Sequence, residues 1–465
     1  MIDTDDPKDR VSGAPMIRDV AIVGAGFSGT LAAINLLRHD GPRVTLIERA
    51  PVAGQGLAYG AAHPGHLLNV RASNMSAFPD DRDHFVRWLD ANGMTRAADQ
   101  FVERRTYGRY LRESLTNAID RAGSRLALVQ GDAIDIEQAA GVSVRFGDGR
   151  AVRADAAVLA VGNLPPHAPR GLDPTRLSPR RWKGDPWALG VADGLDDTDT
   201  VLVVGTGLTM VDIVLLLETR GFGGRIVALS RRGLLPHRHV PTVGSWTPIT
   251  QRPRGKASDL LSRVRVRADA IGWRNAVDEL RPYTQAIWAN ATTAERVRFL
   301  RHLRPWWDVH RHRLAPPVAE RLAELQASGR LEIVAGKTIG VTETEDGVEL
   351  LWRRRGASEQ SRLFVQRVIN CTGPQGDLTR TTEPLLAALA RRGAVRPDDE
   401  ALGIDVDSAT RVIGTDALPN PRLYALGPMT RGAFWEIVAV PDIRRQTWDL
   451  ARRLANAHWV GGEGL

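Results

Sequence analysis

The chain has 465 residues, of which 43% are hydrophobic and 25% charged, and both values are ordinary for globular proteins. Its formal net charge of +8 comes from arginines interspersed with acids, so nothing in it favours nucleic-acid binding. The only cysteine, Cys371, excludes a disulfide framework, a CxxC redox pair and a cysteine-based zinc site within one chain. No apolar stretch approaches the roughly 20 residues of a membrane span. Residues 1–18 predict a short disordered tail instead of a signal peptide, so we expect a cytoplasmic protein.

Residues 19–48 predict a β-α-β unit in which an apolar strand runs directly into a glycine-rich turn and a helix. The glycine spacing is that of a dinucleotide-binding fingerprint, in which the glycines permit a tight turn, close approach of backbone to a pyrophosphate, and close helix–strand packing. The helix N-terminus adds N–H donors for phosphate. Glu48 ends the second strand, where a carboxylate can accept from ribose hydroxyls. The residues predicted to bind the first nucleotide are Gly24, Gly26, Phe27, Ser28, Gly29 and Glu48.

The same pattern restarts near residue 201 and indicates an internal repeat of the first unit. The predicted turn residues are Gly205, Thr206, Gly207, Leu208 and Thr209. Met210 stands where a third glycine or an alanine is expected, which predicts looser packing of helix on strand. The next strand ends in Arg231 and Arg232 with no acid nearby. Arginines there favour the 2′-phosphate of NADPH, which a carboxylate would repel; the alternative is a solvated arginine pair.

Three further strands end in small turns that let the chain cross between domains or approach a cofactor. These turns contribute Gly162, Thr372, Gly373, Gly427 and Pro428 to the predicted cofactor site. The last of them is expected to approach the flavin end of an FAD whose adenine end lies near Glu48. Cys371 is interpreted as a small buried residue and not as a nucleophile.

Between the repeats the pattern predicts a hairpin at 142–153, and after them a largely helical stretch at 246–313. Strands are predicted at 331–335, 348–352, 365–370 and 422–426, followed by a closing amphipathic helix at 443–455. The helical stretch is rich in tryptophan. Its tryptophans either form the core of a helical subdomain or wall the space over a flavin; they are Trp246, Trp273, Trp288, Trp306 and Trp307.

Two His-x-His pairs, at 237–239 and 310–312, have arginine at the middle position, which disfavours a metal cation, so no metal site is predicted. The alternatives are an anionic coenzyme or substrate, or ordinary packing. Asn69 is a candidate donor to the flavin or its peroxide and the one candidate catalytic residue; a simple turn role is the alternative.

Several stretches together resemble a family of FAD/NAD(P)-binding proteins that includes a bacterial FAD-dependent urate hydroxylase, and more broadly the flavin monooxygenases that bind two dinucleotides. Besides the two glycine turns, these stretches are 54–60, 66–70, 230–236, 305–313 and 432–437. The resemblance runs over nearly the whole chain. It implies a flavin that is reduced by NADPH and reacts with O₂, giving a C4a-(hydro)peroxide that transfers one oxygen atom to substrate.

The predicted fold is α/β, with two Rossmann-like dinucleotide-binding domains, for FAD and NADPH, and a helical insertion. The predicted boundaries are 19–170 and 366–465 for the FAD domain, 171–245 and 321–365 for the NADPH domain, and 246–320 for the insertion. The leading prediction is an NADPH-dependent flavin monooxygenase that hydroxylates a small polar or N-containing substrate. The alternatives are a flavoprotein reductase serving a protein or small acceptor, and a non-catalytic module that holds both dinucleotides.

Overall fold

The computed structural model describes residues 17–38, 41–240 and 247–455. Nearly all of the predicted N-terminal tail, and Trp246, lie outside these residues. The strands are Asp19–Val23 (β1), Arg43–Glu48 (β2), Leu126–Gln130 (β3), Ala133–Gln138 (β4), Val142–Phe146 (β5), Ala151–Ala154 (β6), Ala156–Leu159 (β7), Trp182–Lys183 (β8), Thr200–Val204 (β9), Arg225–Ser230 (β10), Leu331–Glu343 (β11), Val348–Arg354 (β12), Ser361–Val365 (β13), Arg367–Asn370 (β14), Arg411–Ile413 (β15) and Pro419–Ala425 (β16).

The helices alternate with the strands in the first half of the chain and cluster between β10 and β11. They are Phe27–Arg38 (α1), Gly56–Gly60 (α2), His84–Ala91 (α3), Arg104–Ala122 (α4), Leu208–Thr219 (α5), Ala257–Ile271 (α6), Trp273–Leu280 (α7), Thr284–Asn290 (α8), Thr293–His302 (α9), Arg304–Arg311 (α10), Pro316–Ala327 (α11), Pro384–Arg391 (α12) and Val440–Leu454 (α13). No helix among the described residues is both long and apolar enough to cross a bilayer.

The first sheet has six strands in the order β15-β16-β7-β1-β2-β3, and all neighbours except β15 and β16 are parallel. β1 and β7 are buried along most of their length because helices and loops cover both faces. The closing helix α13 packs on α1, which links the end of the chain to the first glycine turn. Strands from two separated parts of the chain, 19–159 and 411–425, therefore build this sheet.

The second sheet has seven strands in the order β13-β12-β11-β10-β9-β14-β8. β11, β10, β9, β14 and β8 are parallel, whereas β11, β12 and β13 form an antiparallel meander. A separate three-stranded antiparallel sheet, β4-β5-β6, contains the predicted hairpin. The predicted fold class is confirmed: two parallel sheets, each opened by a strand, a glycine turn and a helix.

Two strand predictions need correction. The single strand predicted at 365–370 is two strands, β13 and β14, that lie at different positions of the second sheet with Gln366 between them. β14 pairs with β9, so the chain leaves the second sheet after Asn370 and not at the predicted boundary of 366. The strand predicted at 331–335 continues to Glu343, because β11 changes partner: it pairs with β10 up to Ala335 and then with β12.

Candidate functional site

One cavity of about 2290 Å³ is lined by both parallel sheets, the insertion and the C-terminal segment. A pocket for one small molecule measures roughly 300–1,000 Å³, so this cavity has room for more than one large ligand. Most of the predicted site residues line it: Gly24, Gly26, Phe27, Ser28, Glu48, Asn69, Gly162, Gly205, Thr206, Gly207, Leu208, Thr209, Arg231, Arg232, Thr372, Gly373 and Pro428. Gly29 and Gly427 lie behind the cavity wall instead.

The first glycine turn is fixed by contacts that only glycine allows. Gly24 has φ +101°, and a Cβ there would lie 2.4 Å from the carbonyl oxygen of Ala160 at the end of β7. A Cβ on Gly29 would lie 1.8 Å from the oxygen of Gly24, so α1 can pack against this turn only without a side chain. Gly29 therefore shapes the turn from behind, which explains why it does not line the cavity.

A second loop covers the first turn from the other side. The amide of Gly54 donates to the oxygen of Ala25 at 2.8 Å. Gly56 has φ +59°, and a Cβ there would lie 2.8 Å from the Cα of Gly26. The backbone of this loop therefore rests directly on the backbone of the turn, leaving an edge without side chains that faces the cavity.

Glu48 ends β2 beside the first turn and lines the cavity. One carboxylate oxygen accepts from the amide of Ala25 at 2.7 Å, and the other accepts from the amide of Ala50 at 2.9 Å. These bonds hold the carboxylate in place, and each oxygen keeps acceptor capacity for a further donor. This geometry suits the hydroxyl-accepting role expected from the sequence.

The second turn repeats the first with a different third residue. Gly205 has φ +115°, and a Cβ there would lie 2.2 Å from the oxygen of Cys371 at the end of β14. Gly207 has open space around it, so a ligand can approach its backbone. Met210, at the third position, is fully buried in the core of the second unit. Burial raises the pKa of the Cys371 thiol well above its usual value, in keeping with the interpretation of Cys371 as a small buried residue.

The Thr206 side chain ties the arginine-bearing loop after β10 to the second turn. Its hydroxyl lies 2.8 Å from the Ser230 hydroxyl and donates to the oxygen of Leu234 at 2.6 Å. Arg231 and Arg232 thus stand on a fixed loop at the cavity wall. Neither guanidinium forms a salt bridge or side-chain hydrogen bond with another described residue, so both are free to meet an anionic ligand.

Two more basic residues lie on this wall, and no sequence motif had pointed to them. Lys337 on β11 and Arg353 on β12 are register partners in the antiparallel meander, and both line the cavity. β11 brings them beside the arginine loop, because Ser230 pairs with Ala335 two residues earlier. Neither Lys337 nor Arg353 has an acidic partner among the described residues. The four cations lie on three separate elements, so their proximity becomes visible only from the pairing of β11 with β12.

The chain crosses between the two sheets at two adjacent segments, 160–167 and 370–375. The buried Asn370 amide group joins them by donating to the oxygens of Pro166, at 3.3 Å, and His167, at 3.1 Å. The amide oxygen of Asn370 in turn accepts from the Thr372 hydroxyl at 2.7 Å. Gly162, Thr372 and Gly373 therefore share one double crossover at the cavity, and Asn370 is the residue there that sequence reasoning missed.

The turn at Gly427 opens a short 3₁₀ segment that comes up against the first glycine turn. Gly427 has φ +76°, and a Cβ there would lie 2.4 Å from the Ser28 hydroxyl oxygen. Its amide donates to the Gln446 side chain on α13 at 2.8 Å. Gly427 therefore packs the segment tightly, while the next residue, Pro428, reaches the cavity.

The helical insertion is docked on the segment that follows. Trp288 stacks on Trp435 with ring centres 4.6 Å apart, and its indole N–H donates to the oxygen of Gly432 at 2.7 Å. The Glu436 carboxylate accepts from the Trp307 indole and, at 2.9 Å, from Arg311. None of the insertion tryptophans within the described residues lines the cavity, so the flavin-wall alternative does not hold for them. The packing interpretation holds for Trp288 and Trp307, whereas Trp273 and Trp306 are exposed.

Asn69 and the histidines lie where the insertion meets the first unit. The oxygen of Asn69 lies 3.0 Å from His239 Nε2, so the backbone of Asn69 is anchored while its residue lines the cavity. His237 and His310 lie with ring centres 4.6 Å apart, and burial beside His237 and arginines lowers the pKa of His310 to about 4. Among the described residues, no three His, Cys, Asp or Glu side chains are grouped to hold a metal ion.

A buried ion pair connects the two units beside the cavity. Arg104, at the start of α4, lies 2.8 Å from the Asp212 carboxylate on α5, with both side chains largely buried. His66 Nε2 lies 2.9 Å from the backbone oxygen of Asp212. Helix α5 begins at the second glycine turn, so these contacts fix that turn relative to the first unit.

Comparison with known proteins supports this picture at two levels. Residues 21–164 match the model of a family described as FAD-NAD(P)-binding, which covers β1, the first glycine turn and the crossover to the second unit. A search among curated proteins gives no match to the sequence.

The whole chain is similar to several solved structures. An ornithine N-hydroxylase from Kutzneria sp. 744, in a form with reduced FAD, NADP⁺ and L-ornithine, is 18% identical with a TM-score of 0.63, over 95% of this chain and 100% of that one. An L-lysine 6-monooxygenase from Pseudomonas syringae is 18% identical with a TM-score of 0.65, over 95% and 100%. A cadaverine monooxygenase from Erwinia amylovora, bound to FAD, is 14% identical with a TM-score of 0.66, over 95% of each chain. At these identities the likeness establishes the shared two-unit fold.

Proposed function

We propose that this protein is an FAD-containing, NADPH-dependent oxidoreductase, and specifically a monooxygenase that hydroxylates a small polar or N-containing substrate. The observation that carries the proposal is that two glycine turns, each at the carboxyl end of a parallel sheet, line one cavity large enough for two dinucleotides. A hydride can pass between two bound cofactors only where both reach a common space.

The first unit fits FAD. A Cβ on Gly24 or Gly56 would collide with backbone, so the chain keeps a cradle there that pyrophosphate can approach closely. Glu48 is held by two amides in a position to accept from ribose hydroxyls. The 3₁₀ segment Gly427–Thr430 lies against the first glycine turn, and its residue Pro428 lines the cavity. The match of residues 21–164 to an FAD-NAD(P)-binding family agrees with this assignment.

The second unit fits NADPH. Gly205, Thr206 and Gly207 would receive its pyrophosphate, and the fixed loop after β10 presents Arg231 and Arg232 without acidic partners. Lys337 and Arg353 add positive charge on the same wall. Four cations without carboxylates form a better site for a 2′-phosphate dianion than for the uncharged ribose hydroxyl of NADH.

Reduced flavin, when bound, would supply the electrons that activate O₂, and one atom of that O₂ would be transferred to the substrate. The protein has to position the two cofactors, shield the reacting atoms from water and admit the substrate. The Arg104–Asp212 pair holds α5, and with it the NADPH turn, at a fixed position relative to the FAD turn. The docked insertion and the segment after Gly427 line the cavity on the side of Asn69, where they would limit the access of water to the reacting atoms. Asn69 is the candidate to donate a hydrogen bond there.

The solved structures to which the chain is similar include N-hydroxylating monooxygenases for ornithine, lysine and cadaverine. They support oxygen transfer as the reaction class. N-heteroaromatic hydroxylation of the urate type stays a prediction from the sequence resemblance. The lone, buried Cys371 leaves a single chain without the dithiol that a disulfide reductase needs.

The decisive experiment follows NADPH, O₂ and flavin together in the purified protein. We expect yellow protein with one FAD per chain, bleaching of the flavin by NADPH under anaerobic conditions, and NADPH and O₂ consumption in equal amounts. A substrate is recognised by faster consumption of both and by less release of hydrogen peroxide.

Two results would contradict the proposal. Protein that is colourless after incubation with FAD has no flavin site. Flavin that NADPH bleaches but that passes its electrons to a dye or ferredoxin, with little O₂ use under any substrate, identifies the reductase alternative. The Arg362→Ala variant serves as a control. It removes an exposed arginine of the second sheet that pairs with Glu349 away from the cavity, and it should behave as wild type in these assays.

A further inference from the structure

The part of the cavity between the insertion and the C-terminal segment has an uneven charge distribution. We name it the insertion chamber; it is lined by Asn69, Asp278, Arg281, Arg304, Asp308, Arg311, Arg313 and Arg431, with His239, Val438 and Ala439. If FAD and NADPH occupy the two glycine turns, this chamber is the space left for substrate. Its charges therefore bear on the kind of molecule it accepts.

Both carboxylates that line the chamber already have cationic partners. Asp278 receives two hydrogen bonds from Arg313, each of 2.9 Å. The Asp308 carboxylate lies 3.4 Å from the Arg304 guanidinium. A substrate that entered with a free ammonium group would find no unpaired carboxylate to receive it, and would have to displace an arginine.

The arginines of the insertion chamber differ in whether they have an acidic partner. Arg311 is held by Glu436, and Arg281 approaches Asp442 only to 3.9 Å. Arg431 has no salt bridge and no hydrogen bond to any described residue. Its Nε is shielded from solvent without a hydrogen-bond partner, and burial lowers the pKa of Arg431 to about 10. Arg431 is half-buried, and a shielded Nε without a hydrogen-bond partner is costly to the protein, so a ligand that supplies an acceptor would stabilise it.

Arg431 faces the insertion and not the phosphate cradle. The charged groups that act on it are Arg304 and Asp308 of α10, and Asp398. It follows directly on the 3₁₀ segment Gly427–Thr430, whose first residue touches Ser28 of the FAD turn. Arg431 therefore stands between the flavin end of the FAD site and the insertion, where a substrate would meet both.

We propose, on the basis of the function proposed above, that the substrate carries a carboxylate or another delocalised anion and that Arg431 is the residue that binds this anion. A planar guanidinium can give two parallel N–H donors to such a group. The class proposed here differs from a diamine such as cadaverine, because among the described residues that line the chamber Arg431 has no salt bridge, whereas both carboxylates, Asp278 and Asp308, have one.

The test measures binding of three probes of the same size and different charge, which are benzoate, benzamide and benzylamine. Calorimetric titration of the FAD-loaded protein gives their dissociation constants without any need for turnover, and the flavin absorbance recorded alongside reports binding near the isoalloxazine. We expect benzoate to bind at least about tenfold more tightly than benzamide, and benzylamine most weakly, since one charge-assisted pair corresponds to about a tenfold preference or more. Tightest binding of benzylamine, or no preference among the three, overturns the proposal.

Variants assign the preference to Arg431. Arg431→Gln should remove the preference for benzoate, and Arg431→Lys should keep part of it. Arg353→Gln is the matched control: it also removes an unpaired cavity cation, but on the NADPH wall, so it should weaken NADPH and leave benzoate unchanged. A benzoate preference that survives in folded Arg431→Gln, judged by its melting temperature and flavin content, overturns the assignment. If that variant does not fold, a benzoate preference in Arg431→Lys that is as large as in wild type overturns it instead, and a reduced preference supports it.

The same samples separate this proposal from the proposed function. Yellow protein that NADPH bleaches but that shows no anion preference overturns only the substrate class. Colourless protein that still prefers benzoate overturns the flavin assignment, while the anion site stands.

Discussion

The two glycine turns share one backbone and differ in chemistry. In each, the first glycine has a positive φ and lies against a carbonyl oxygen at the end of a neighbouring strand, Ala160 in the first unit and Cys371 in the second. They differ at the third position, Gly29 against Met210, and at the end of the next strand, Glu48 against the arginine loop. The comparison teaches that the turn is set by backbone sterics, and we expect ligand preference to be set by one or two side chains about 20 residues further on.

The largest expected effect comes from filling the third position of the first turn. In Gly29→Ala the Cβ would lie 1.8 Å from a backbone oxygen that cannot move without displacing Gly24, so we expect a loss of more than about 4 kcal/mol of stability and no recovery of yellow protein. Denaturant unfolding and flavin content measure this. Gly207→Ala is the control, because nothing lies within 4 Å of its Cβ position; it should keep wild-type stability and FAD. Equal stability of the two variants would contradict the steric account of the first turn.

Removing a side chain from the third position, instead of adding one, tests the second turn. The Met210 side chain is fully buried in the core of the second unit, away from solvent and from the cavity. The first unit has glycine at this position. We expect Met210→Ala to lower the free energy of unfolding by about 2–5 kcal/mol, the usual cost of emptying a buried methionine site. Met94→Ala, at an exposed methionine, should cost less than about 0.5 kcal/mol. Were Met210→Ala as stable as wild type, the second turn would not depend on this side chain.

The third prediction concerns the residues beyond the turns. Replacing both Arg231 and Arg232 with alanine should raise the apparent NADPH KM about ten- to a hundredfold, because lost charge-assisted bonds to the 2′-phosphate are worth about 1.5–3 kcal/mol. The KM for NADH should change little. Steady-state kinetics with both coenzymes measure the split. Lys337→Ala should act in the same direction with a smaller effect. An equal change for NADH and NADPH would show that these cations do not read the phosphate.

The comparison also shows how far the sequence could lead. Both β-α-β units, their glycine turns and the position of Glu48 follow from local patterns: apolar runs, glycine spacing and helical periodicity. Lys337, Arg353 and Arg431 could not be found in this way. The first two reach the cavity only because β11 changes partner at Ala335, and Arg431 stands out because its shielded Nε has no hydrogen-bond partner among the described residues. Such properties depend on long-range contacts that no local pattern encodes.

The strand prediction at 365–370 failed for a related reason. β13 ends in Leu363–Val365 and β14 contains Val368 and Ile369, with Gln366 alone between the two strands, so the local pattern reads as one strand. What divides them is the hydrogen-bond partner: β13 pairs with β12 and β14 pairs with β9. The Gln366 side chain accepts from the amide of Thr200 at 2.8 Å, which fixes the change of partner at that residue.

The smallest expected effect comes from a substitution that makes the second turn more like the first. Cys371 in the second unit holds the place of Ala160 in the first, since each offers its backbone oxygen to the turn glycine. Cys371→Ala should therefore cost no more than about 1 kcal/mol and leave FAD and NADPH binding unchanged. Because burial raises the pKa of the Cys371 thiol, iodoacetamide at pH 8 should modify the native wild-type protein far more slowly than the unfolded chain. Mass spectrometry of both states measures this. Rapid labelling of the native protein, or loss of turnover in Cys371→Ala, would give the thiol a role that the shared backbone geometry does not require.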